Sequence, residues 1–228
     1  MSEFRADEIV TVREREWKIL RLLGRGKGGY SYLAQTGDNM AVLKQIHHER
    51  CDYYQFGDKM AAEIRDYHRL KDLGIAMPEM LDADPENERL IKEYIEGETV
   101  YELVLKDALP ESCLQQVKEM CRILYDAGLN IDYFPTNFIL REERRNAQAD
   151  FSELYSGKQN TFASSHKLYY VDYECNSYMD EWNFENWGIK YWAKTPEFLK
   201  YVEEHQEQRY IDVTDFICFV LIRIMQST

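Results

Sequence analysis

Cysteines are few in this sequence, and they are not arranged in pairs. The 228 residues include five of them, none in a C-x-x-C motif: Cys51, Cys113, Cys121, Cys175 and Cys218. An odd, scattered set in a chain of this length excludes a complete disulfide framework. We therefore expect reduced thiols, which are typical of a cytoplasmic protein.

A long apolar run is also missing. The most apolar stretch, residues 216–222, is far shorter than the roughly 18 residues that cross a bilayer, and it predicts a buried C-terminal helix instead. The first eight residues are charged and contain no apolar segment, so they do not resemble a secretory signal. The expectation is a cytoplasmic protein without membrane insertion.

Positive charge is in the minority. The chain has 28 Lys and Arg residues against 41 Asp and Glu residues, a formal net charge of −13. Such a field repels a phosphate backbone, so nucleic acid is not an expected partner. The densest basic cluster, residues 141–145, also contains Glu142 and Glu143 and is typical of a solvated loop.

The residues that are present predict a folded domain that begins with a sheet. Hydrophobic residues make up 45% of the chain and aromatic residues 14%. Residues 17–46 contain three β-like runs separated by glycine-containing turns, which predict an antiparallel meander. Apolar spacings of three and four predict a helix over residues 58–73, and two further strands are predicted at 80–83 and 89–94. This part is predicted as a five-stranded antiparallel sheet with one helix.

The pattern becomes mainly helical after Gly97. A helix is predicted over residues 110–127, and the Thr195-Pro196 pair is typical of a second helix start. Apolar runs at 137–140 and 167–171 predict a small hairpin between the helices. The fold class is therefore α+β.

A glycine-rich stretch joins the first two β-like runs. Gly24, Gly26, Gly28 and Gly29 fit the pattern G-x-G-x-x-G, which an ordinary turn between strands also satisfies. A dinucleotide-binding motif would continue directly into a helix, whereas a β-like run follows here. A hairpin that covers phosphates is the functional interpretation, since glycine lets backbone amides approach a triphosphate closely.

A lysine and a glutamate accompany this hairpin. Lys44 ends the apolar run Ala-Val-Leu-Lys, where a lysine turned inward would be costly without an anionic partner. Glu63 lies on the sheet-facing side of the predicted helix and can supply that partner. Each residue alone is typical of an ordinary surface charge. Together with the glycine hairpin, the two charges form a recognisable combination.

Three later segments complete a recognisable pattern. Residues 130–137, Asn-Ile-Asp-Tyr-Phe-Pro-Thr-Asn, look like H-R-D-x-x-x-x-N, with Asp132 and Asn137 at the Asp and Asn positions. Asp172, in Tyr-Val-Asp-Tyr-Glu, looks like the aspartate of D-F-G, and residues 91–97 look like the segment that links two lobes. The sequence thus resembles the protein-kinase-like superfamily over roughly residues 17–190.

The resemblance implies a two-lobed fold that forms one kinase-like domain. Residues 1–94 would be the nucleotide-binding lobe, and residues 95–228 a small, mainly α catalytic lobe. It implies a phosphotransferase that moves the γ-phosphoryl group of ATP, with Mg²⁺, to a hydroxyl of a protein Ser/Thr or of a small molecule. Compact bacterial-type Ser/Thr kinases and aminoglycoside- or lipopolysaccharide-kinase-like enzymes are the classes it resembles.

The resemblance also implies a role for each matching residue. The catalytic residues would be Asp132, Lys44 and Glu63, and the Mg²⁺ ligands would be Asn137 and Asp172. The nucleotide would be bound by Lys44, by backbone groups of Glu93 and Ile95, and by the glycines Gly24, Gly26, Gly28 and Gly29.

Departures from the family pattern leave an alternative open. Asn130 and Ile131 replace the His-Arg pair, so control through a phosphorylated activation loop is not expected. Glu174 replaces the glycine of D-F-G, as in aminoglycoside-type and lipopolysaccharide-kinase-type enzymes. The alternative is a pseudokinase that binds nucleotide as a scaffold or sensor and transfers nothing.

Three other features receive a structural interpretation. The His47-His48 pair is predicted to lie in a solvated turn rather than to bind a metal. The aromatic run at residues 182–192 is predicted to fill the core of the second lobe. Residues 141–166 are predicted to be an inserted hairpin tip, more typical of decoration than of a substrate contact.

Overall fold

The computed structural model describes residues 3–26, 28–48, 57–143 and 165–205. The predicted C-terminal helix at 216–222 and most of the predicted insertion at 141–166 lie outside these ranges.

An antiparallel sheet of six strands forms the N-terminal part of the described chain. Its spatial order is β1-β2-β3-β4-β6-β5. The strands are β1 (Ile9–Val12), β2 (Arg15–Arg25), β3 (Gly29–Thr36), β4 (Asn39–Ile46), β5 (Met80–Asp84) and β6 (Arg89–Glu93). The predicted meander corresponds to β2, β3 and β4, and both later strands are present close to their predicted bounds.

The prediction of five strands was one strand short. The additional strand, β1, has four residues that alternate between exposed and buried, and it pairs with β2 so that Val10 lies opposite Trp17. Val10 and Val12 are buried in the same core cluster as Trp17. Their burial depends on the partner strand, and so short an alternation gives little signal in the sequence.

The predicted helix over residues 58–73 is α1 (Lys59–Asp72). It begins at Asp58, whose side chain caps the first turn, and it ends before Gly74, which has a φ of +78°. Met60 packs against the sheet, whereas Tyr67 faces the main core of the molecule. The helix therefore lies between the sheet and the C-terminal part, with one face toward each.

The chain after Gly97 combines helices with two small sheets. The helices are α2 (Val100–Leu105), α3 (Glu111–Asp126) and α4 (Pro196–Glu204). The strands are β7 (Glu98–Thr99), β8 (Leu129–Ile131), β9 (Phe138–Glu143), β10 (Ser165–Tyr170) and β11 (Cys175–Ser177). The order of the first sheet is β10-β9-β7, and β8 pairs with β11. Within the described ranges, no helix has the length and apolar character that a membrane crossing requires.

This half is less purely helical than predicted. The predicted hairpin is present as β9 and β10, but the pairing of β7 with β9 and of β8 with β11 was missed. Strands of two or three residues have no measurable alternation, so their pairing follows from tertiary packing alone.

The main core lies around α3. This helix buries Cys113, Val117, Cys121 and Leu124, and the two thiols are free, as expected. The aromatic run contributes to the same core only in part. Phe184 and Trp192 are buried within it, whereas Trp182 is 54% exposed.

The side chain of Gln116 on α3 covers the outer edge of β10. Its amide Nε2 donates to the carbonyl of His166 at 3.1 Å, and its Oε1 accepts from the N–H of Leu168 at 2.9 Å. A single carboxamide thus makes the two hydrogen bonds that an additional strand would make there.

Two glycines of the glycine-rich stretch, Gly29 and Gly24, allow a matched comparison of stability. A Cβ at Gly29 would lie 2.4 Å from the carbonyl oxygen of Gln45, whereas a Cβ at Gly24 would meet no atom within 4 Å. We expect Gly29→Ala to lower the free energy of unfolding by about 2–3 kcal/mol, because the β3–β4 backbones must separate. Gly24→Ala should leave stability unchanged or slightly increased. Urea denaturation compares the two, and equal stabilities would contradict the steric explanation.

Candidate active site

The ammonium of Lys44 lies between two carboxylates, one from α1 and one from the segment after β10. The side chains of Lys44 and Glu63 form an ion pair and are only 10% and 12% exposed. The Lys44 Nζ also lies 3.4 Å from Oδ1 of Asp172. The predicted ion pair between Lys44 and Glu63 is therefore confirmed, and Asp172 joins it across 128 residues of chain.

These charges determine one another's ionisation. Burial alone would lower the pKa of Lys44, but the carboxylates of Asp172 and Glu63 raise it above its ordinary value. Burial alone would likewise raise the pKa of Asp172, but the ammonium groups of Lys44 and Lys92 hold it below the ordinary value. Both groups of the Lys44–Asp172 pair are therefore charged at neutral pH.

The glycine loop approaches this ion pair at Gly28. A Cβ built on Gly28 would lie 3.5 Å from the Lys44 Nζ and 3.6 Å from Oε1 of Glu63. The loop is fixed by a hydrogen bond from the N–H of Gly26 to the carbonyl of Gly29 at 3.0 Å. Two of the predicted nucleotide-binding glycines, Gly26 and Gly28, thus lie in the turn over the charged pair.

The other two glycines have structural surroundings. Gly24 belongs to β2 and pairs with Ser31, and Gly29 opens β3 against the backbone of Gln45. At Gly29 the close approach that excludes a side chain is made by the neighbouring strand. The motif therefore combines glycines that lie over the charged pair with glycines that belong to the strands. The spacing of the motif alone did not distinguish them.

His47 also holds the loop, which the sequence did not indicate. Its Nε2 lies 3.0 Å from the carbonyl oxygen of Gly26, and the residue is buried. His48 lies 2.6 Å from the Glu88 carboxylate. The predicted solvated turn was therefore wrong for His47, because the side chain folds back under the glycine loop.

Asp132 lies at the end of β8, on an exposed turn. Its Oδ1 accepts the N–H of Phe134 at 3.0 Å, which fixes the carboxylate in place. The backbone carbonyl of Asp132 accepts from the side-chain amide of Asn137 at 3.3 Å. Asn137 ends a 3₁₀ turn over Pro135–Asn137, and so the turn brings the two predicted polar residues together.

The same turn is joined to the segment that carries Asp172. The carbonyl oxygen of Asn137 accepts the N–H of Val171 at 2.9 Å, directly before Asp172. Asp172 Oδ1 in turn accepts the N–H of Tyr173 at 2.8 Å. Asp132, Asn137 and Asp172 therefore belong to one hydrogen-bonded unit, and Asp172 connects that unit to Lys44.

Asn137 and Asp172 provide the donor types that Mg²⁺ takes. Among the described residues, no group of three or more His, Cys, Asp or Glu side chains could hold a metal by itself. Mg²⁺ commonly binds one or two carboxylates together with substrate phosphates rather than an all-protein cage. One carboxylate and one amide oxygen, with the ammonium of Lys44 beside the carboxylate, fit that mode of binding.

Glu93 and Ile95 lie where β6 leaves the sheet. The N–H of Glu93 donates to the carbonyl of Glu79 at 2.8 Å, so only its carbonyl oxygen could serve the predicted contact with a base. Its carboxylate accepts the N–H of Glu79 at 3.2 Å and lies 3.6 Å from Arg141. Ile95 is buried in the connection that follows.

Lys92 is a further charge at this site that the sequence did not single out. It is 5% exposed, and burial followed by repulsion from Lys44 lowers its pKa to about 8. The signal was available, since Lys92 follows the apolar pair Leu90-Ile91 in a predicted strand, as Lys44 follows Ala41-Val42-Leu43.

Comparisons with known proteins give a match at the level of structure alone. No protein-family model and no curated protein matches this sequence. The Rio2 kinase from Chaetomium thermophilum, in its complex with ADP/Mg²⁺ and phosphoaspartate, aligns with 84% of this chain and 57% of its own at 13% identity and a TM-score of 0.50. A second Rio2 kinase structure from the same organism aligns with 81% of this chain and 56% of its own at 13% identity, with a TM-score of 0.48.

The PknI kinase domain of Mycobacterium tuberculosis is also similar, at 15% identity over 76% of this chain and 63% of its own, with a TM-score of 0.41. The chain spans less than two thirds of the length of these kinases. Structural similarity at so low a sequence identity establishes the fold alone. The Rio2 complex, with a TM-score of 0.50, supports that fold. The chain has a protein-kinase-like fold.

The ion pair between Lys44 and Glu63 can be measured as a coupling. We expect Lys44→Met and Glu63→Gln each to destabilise the protein, and the double variant to lose less than the sum by about 1–3 kcal/mol, because each single change leaves a buried partner uncompensated. Urea denaturation of the four proteins gives the coupling.

The exposed pair Arg122–Glu119 on α3 is the control, since solvent should keep its coupling well below that of the buried pair. Additive effects at Lys44 and Glu63 would contradict the pairing.

Proposed function

We propose that this chain is an ATP- and Mg²⁺-dependent phosphotransferase that moves the γ-phosphoryl group of ATP to a hydroxyl. The observation that carries the proposal is the position of the Lys44 ammonium. It lies against Glu63 and Asp172 and directly beneath Gly28, while Asp172 is joined through Val171 to the turn of Asp132 and Asn137. The fold supports this class of activity.

The proposed roles follow from the chemistry of each group. Lys44, oriented by Glu63, holds the charge of the α- and β-phosphates, and the turn at Gly26 and Gly28 covers them. Asp132 accepts a hydrogen bond from the acceptor hydroxyl and takes its proton as the oxygen bonds to phosphorus and ADP leaves. Catalysis rests on positioning and on stabilisation of charge.

Asp172 and Asn137 are the proposed holders of Mg²⁺. When bound, the metal neutralises phosphate charge and orients the nucleotide. The lowered pKa of Asp172 keeps its carboxylate available as a ligand, because the adjacent ammonium groups outweigh the effect of burial.

The assignment of two lobes along the chain is also part of the proposal. Residues 1–94 form the nucleotide-binding lobe, and residues 95–228 form the catalytic lobe. The carbonyl of Glu93 and the backbone of Ile95 contact the base at the junction. The acceptor is a hydroxyl of a protein Ser/Thr or of a small molecule.

Substitution at Asp132 separates transfer from nucleotide binding. The proposed role of Asp132 is toward the acceptor hydroxyl and not toward ATP, so Asp132→Asn should leave ATP affinity within a few-fold of wild type and lower turnover by roughly 10²–10⁴. Calorimetry gives the affinity, and transfer of radiolabel from ATP to water or to a cell lysate gives the turnover.

Lys44→Met is the comparison, since it should weaken both affinity and turnover. Undiminished transfer by Asp132→Asn would remove Asp132 from the mechanism. ATP binding without any transfer by the wild type would favour the nucleotide-binding scaffold instead.

Magnesium dependence tests the metal ligands. ATP should bind more weakly in EDTA than in excess Mg²⁺, because the triphosphate would otherwise meet the carboxylate of Asp172 without a neutralising ion. Asp172→Asn should reduce the ratio of the two affinities. Equal affinities in wild type would overturn the assignment.

A further inference from the structure

A buried lysine contacts the residues on both sides of Asp172. Lys92, on β6, donates from Nζ to the carbonyl oxygen of Val171 at 2.8 Å. The same Nζ lies 4.3 Å from the centre of the Tyr173 ring, within the range of a cation–π interaction. One ammonium from the sheet thus holds the residue before and the residue after the proposed metal ligand.

This lysine has no carboxylate partner of its own within the described ranges, where no ion pair includes Lys92. Burial and the nearby Lys44 both disfavour its charged form. A buried ammonium without a carboxylate is poor for stability compared with an apolar side chain of similar length. Its presence is therefore not explained by core packing.

Lys92 balances the charge of the groups around it. Glu63 and Asp172 carry two negative charges, and Lys44 supplies one positive charge between them. Oε2 of Glu63 is buried and accepts no hydrogen bond from any described residue. Lys92 supplies the second positive charge and makes the four-residue cluster neutral, and it contributes to the low pKa of Asp172.

The contact of Asp172 with Lys44 also reaches the sheet, and the remaining contacts of the segment are made elsewhere. The hydroxyl of Tyr173 donates to the carbonyl of Pro78 at 2.9 Å, and the Tyr173 ring lies 4.8 Å from that of Tyr67 on α1. Val171 is held by Asn137. These contacts fix the segment to the chain before β5, to the helix and to the catalytic turn, whereas Lys92 holds its backbone to β6 beside the Lys44–Asp172 contact.

We propose that Lys92 is a positioning residue that ties the segment 171–173 to the sheet and so holds the carboxylate of Asp172 beside Lys44. This inference rests on the proposed function, since it names the residue that orients the proposed metal ligand. Lys92 acts through Asp172 and does not itself touch a reacting atom.

The test uses Lys92→Met, with Lys59→Met as a matched control. Lys59 is also a buried lysine, 7% exposed, and it donates to a backbone carbonyl, that of His47, at the start of α1. Lys92→Gln is the second variant, because its amide can still donate to Val171 but carries no charge. Thermal denaturation checks that each variant is folded.

Hydrogen exchange of the protein without nucleotide reports on position alone. The N–H groups of Val171 and Tyr173 are bonded to Asn137 and Asp172, so Lys92→Met should speed their exchange by about tenfold or more, with α3 unchanged. Lys59→Met should leave these two amides as in wild type. Unchanged exchange in both Lys92 variants would overturn the inference.

Kinetics separate positioning from simple loss of stability. With Mg²⁺-ATP and water as acceptor, Lys92→Met should lower kcat by about 10–100-fold while KM for ATP changes only a few-fold, since a displaced ligand acts mainly in the transition state. Faster exchange with an unaltered kcat would also overturn the inference.

Failure of the proposed function has a different signature. A wild type that transfers no phosphoryl group to any acceptor would refute that function, and the exchange measurement would then decide the positioning role alone.

Discussion

The position of the Lys44 ammonium between Glu63 and Asp172 is the constraint on which the candidate site depends. Each of the three groups belongs to a different part of the fold, namely β4, α1 and the segment after β10. Such a contact exists only when the helix packs against the sheet and the C-terminal part closes on both. The charges are costly to bury singly and are tolerated as a set, so the site and the packing of the molecule stabilise one another.

Much of this arrangement could be predicted from local patterns. The three strands of the meander, the helix over residues 58–73 and the pairing of Lys44 with Glu63 follow from alternation, from helical spacing and from the cost of an unpaired lysine in an apolar strand. The turn between Asp132 and Asn137 follows from its resemblance to a known motif. For the strands, the helix and the turn, the information lies within a few residues of the feature.

The features that were missed depend on contacts between distant segments. β1 is stabilised by Trp17 of its partner strand, His47 folds back to Gly26, and Lys92 of β6 donates to Val171 in the segment after β10. The spacing of the glycine motif similarly gave no means of separating Gly28, over the ion pair, from Gly29, against a neighbouring strand. Local sequence patterns report which residue types are present, but partners brought together by folding decide what these residues do.

The carboxamide of Gln116 has a consequence for the behaviour of the protein at high concentration. β10 is the outer strand of its small sheet, and an open strand edge can recruit a second molecule through backbone hydrogen bonds. Gln116 occupies the N–H of Leu168 and the carbonyl of His166, and the carbonyl of Ala76 occupies the N–H of Tyr170 on the same edge. The edge therefore offers fewer free backbone groups to intermolecular strand addition and to the aggregation that follows from it.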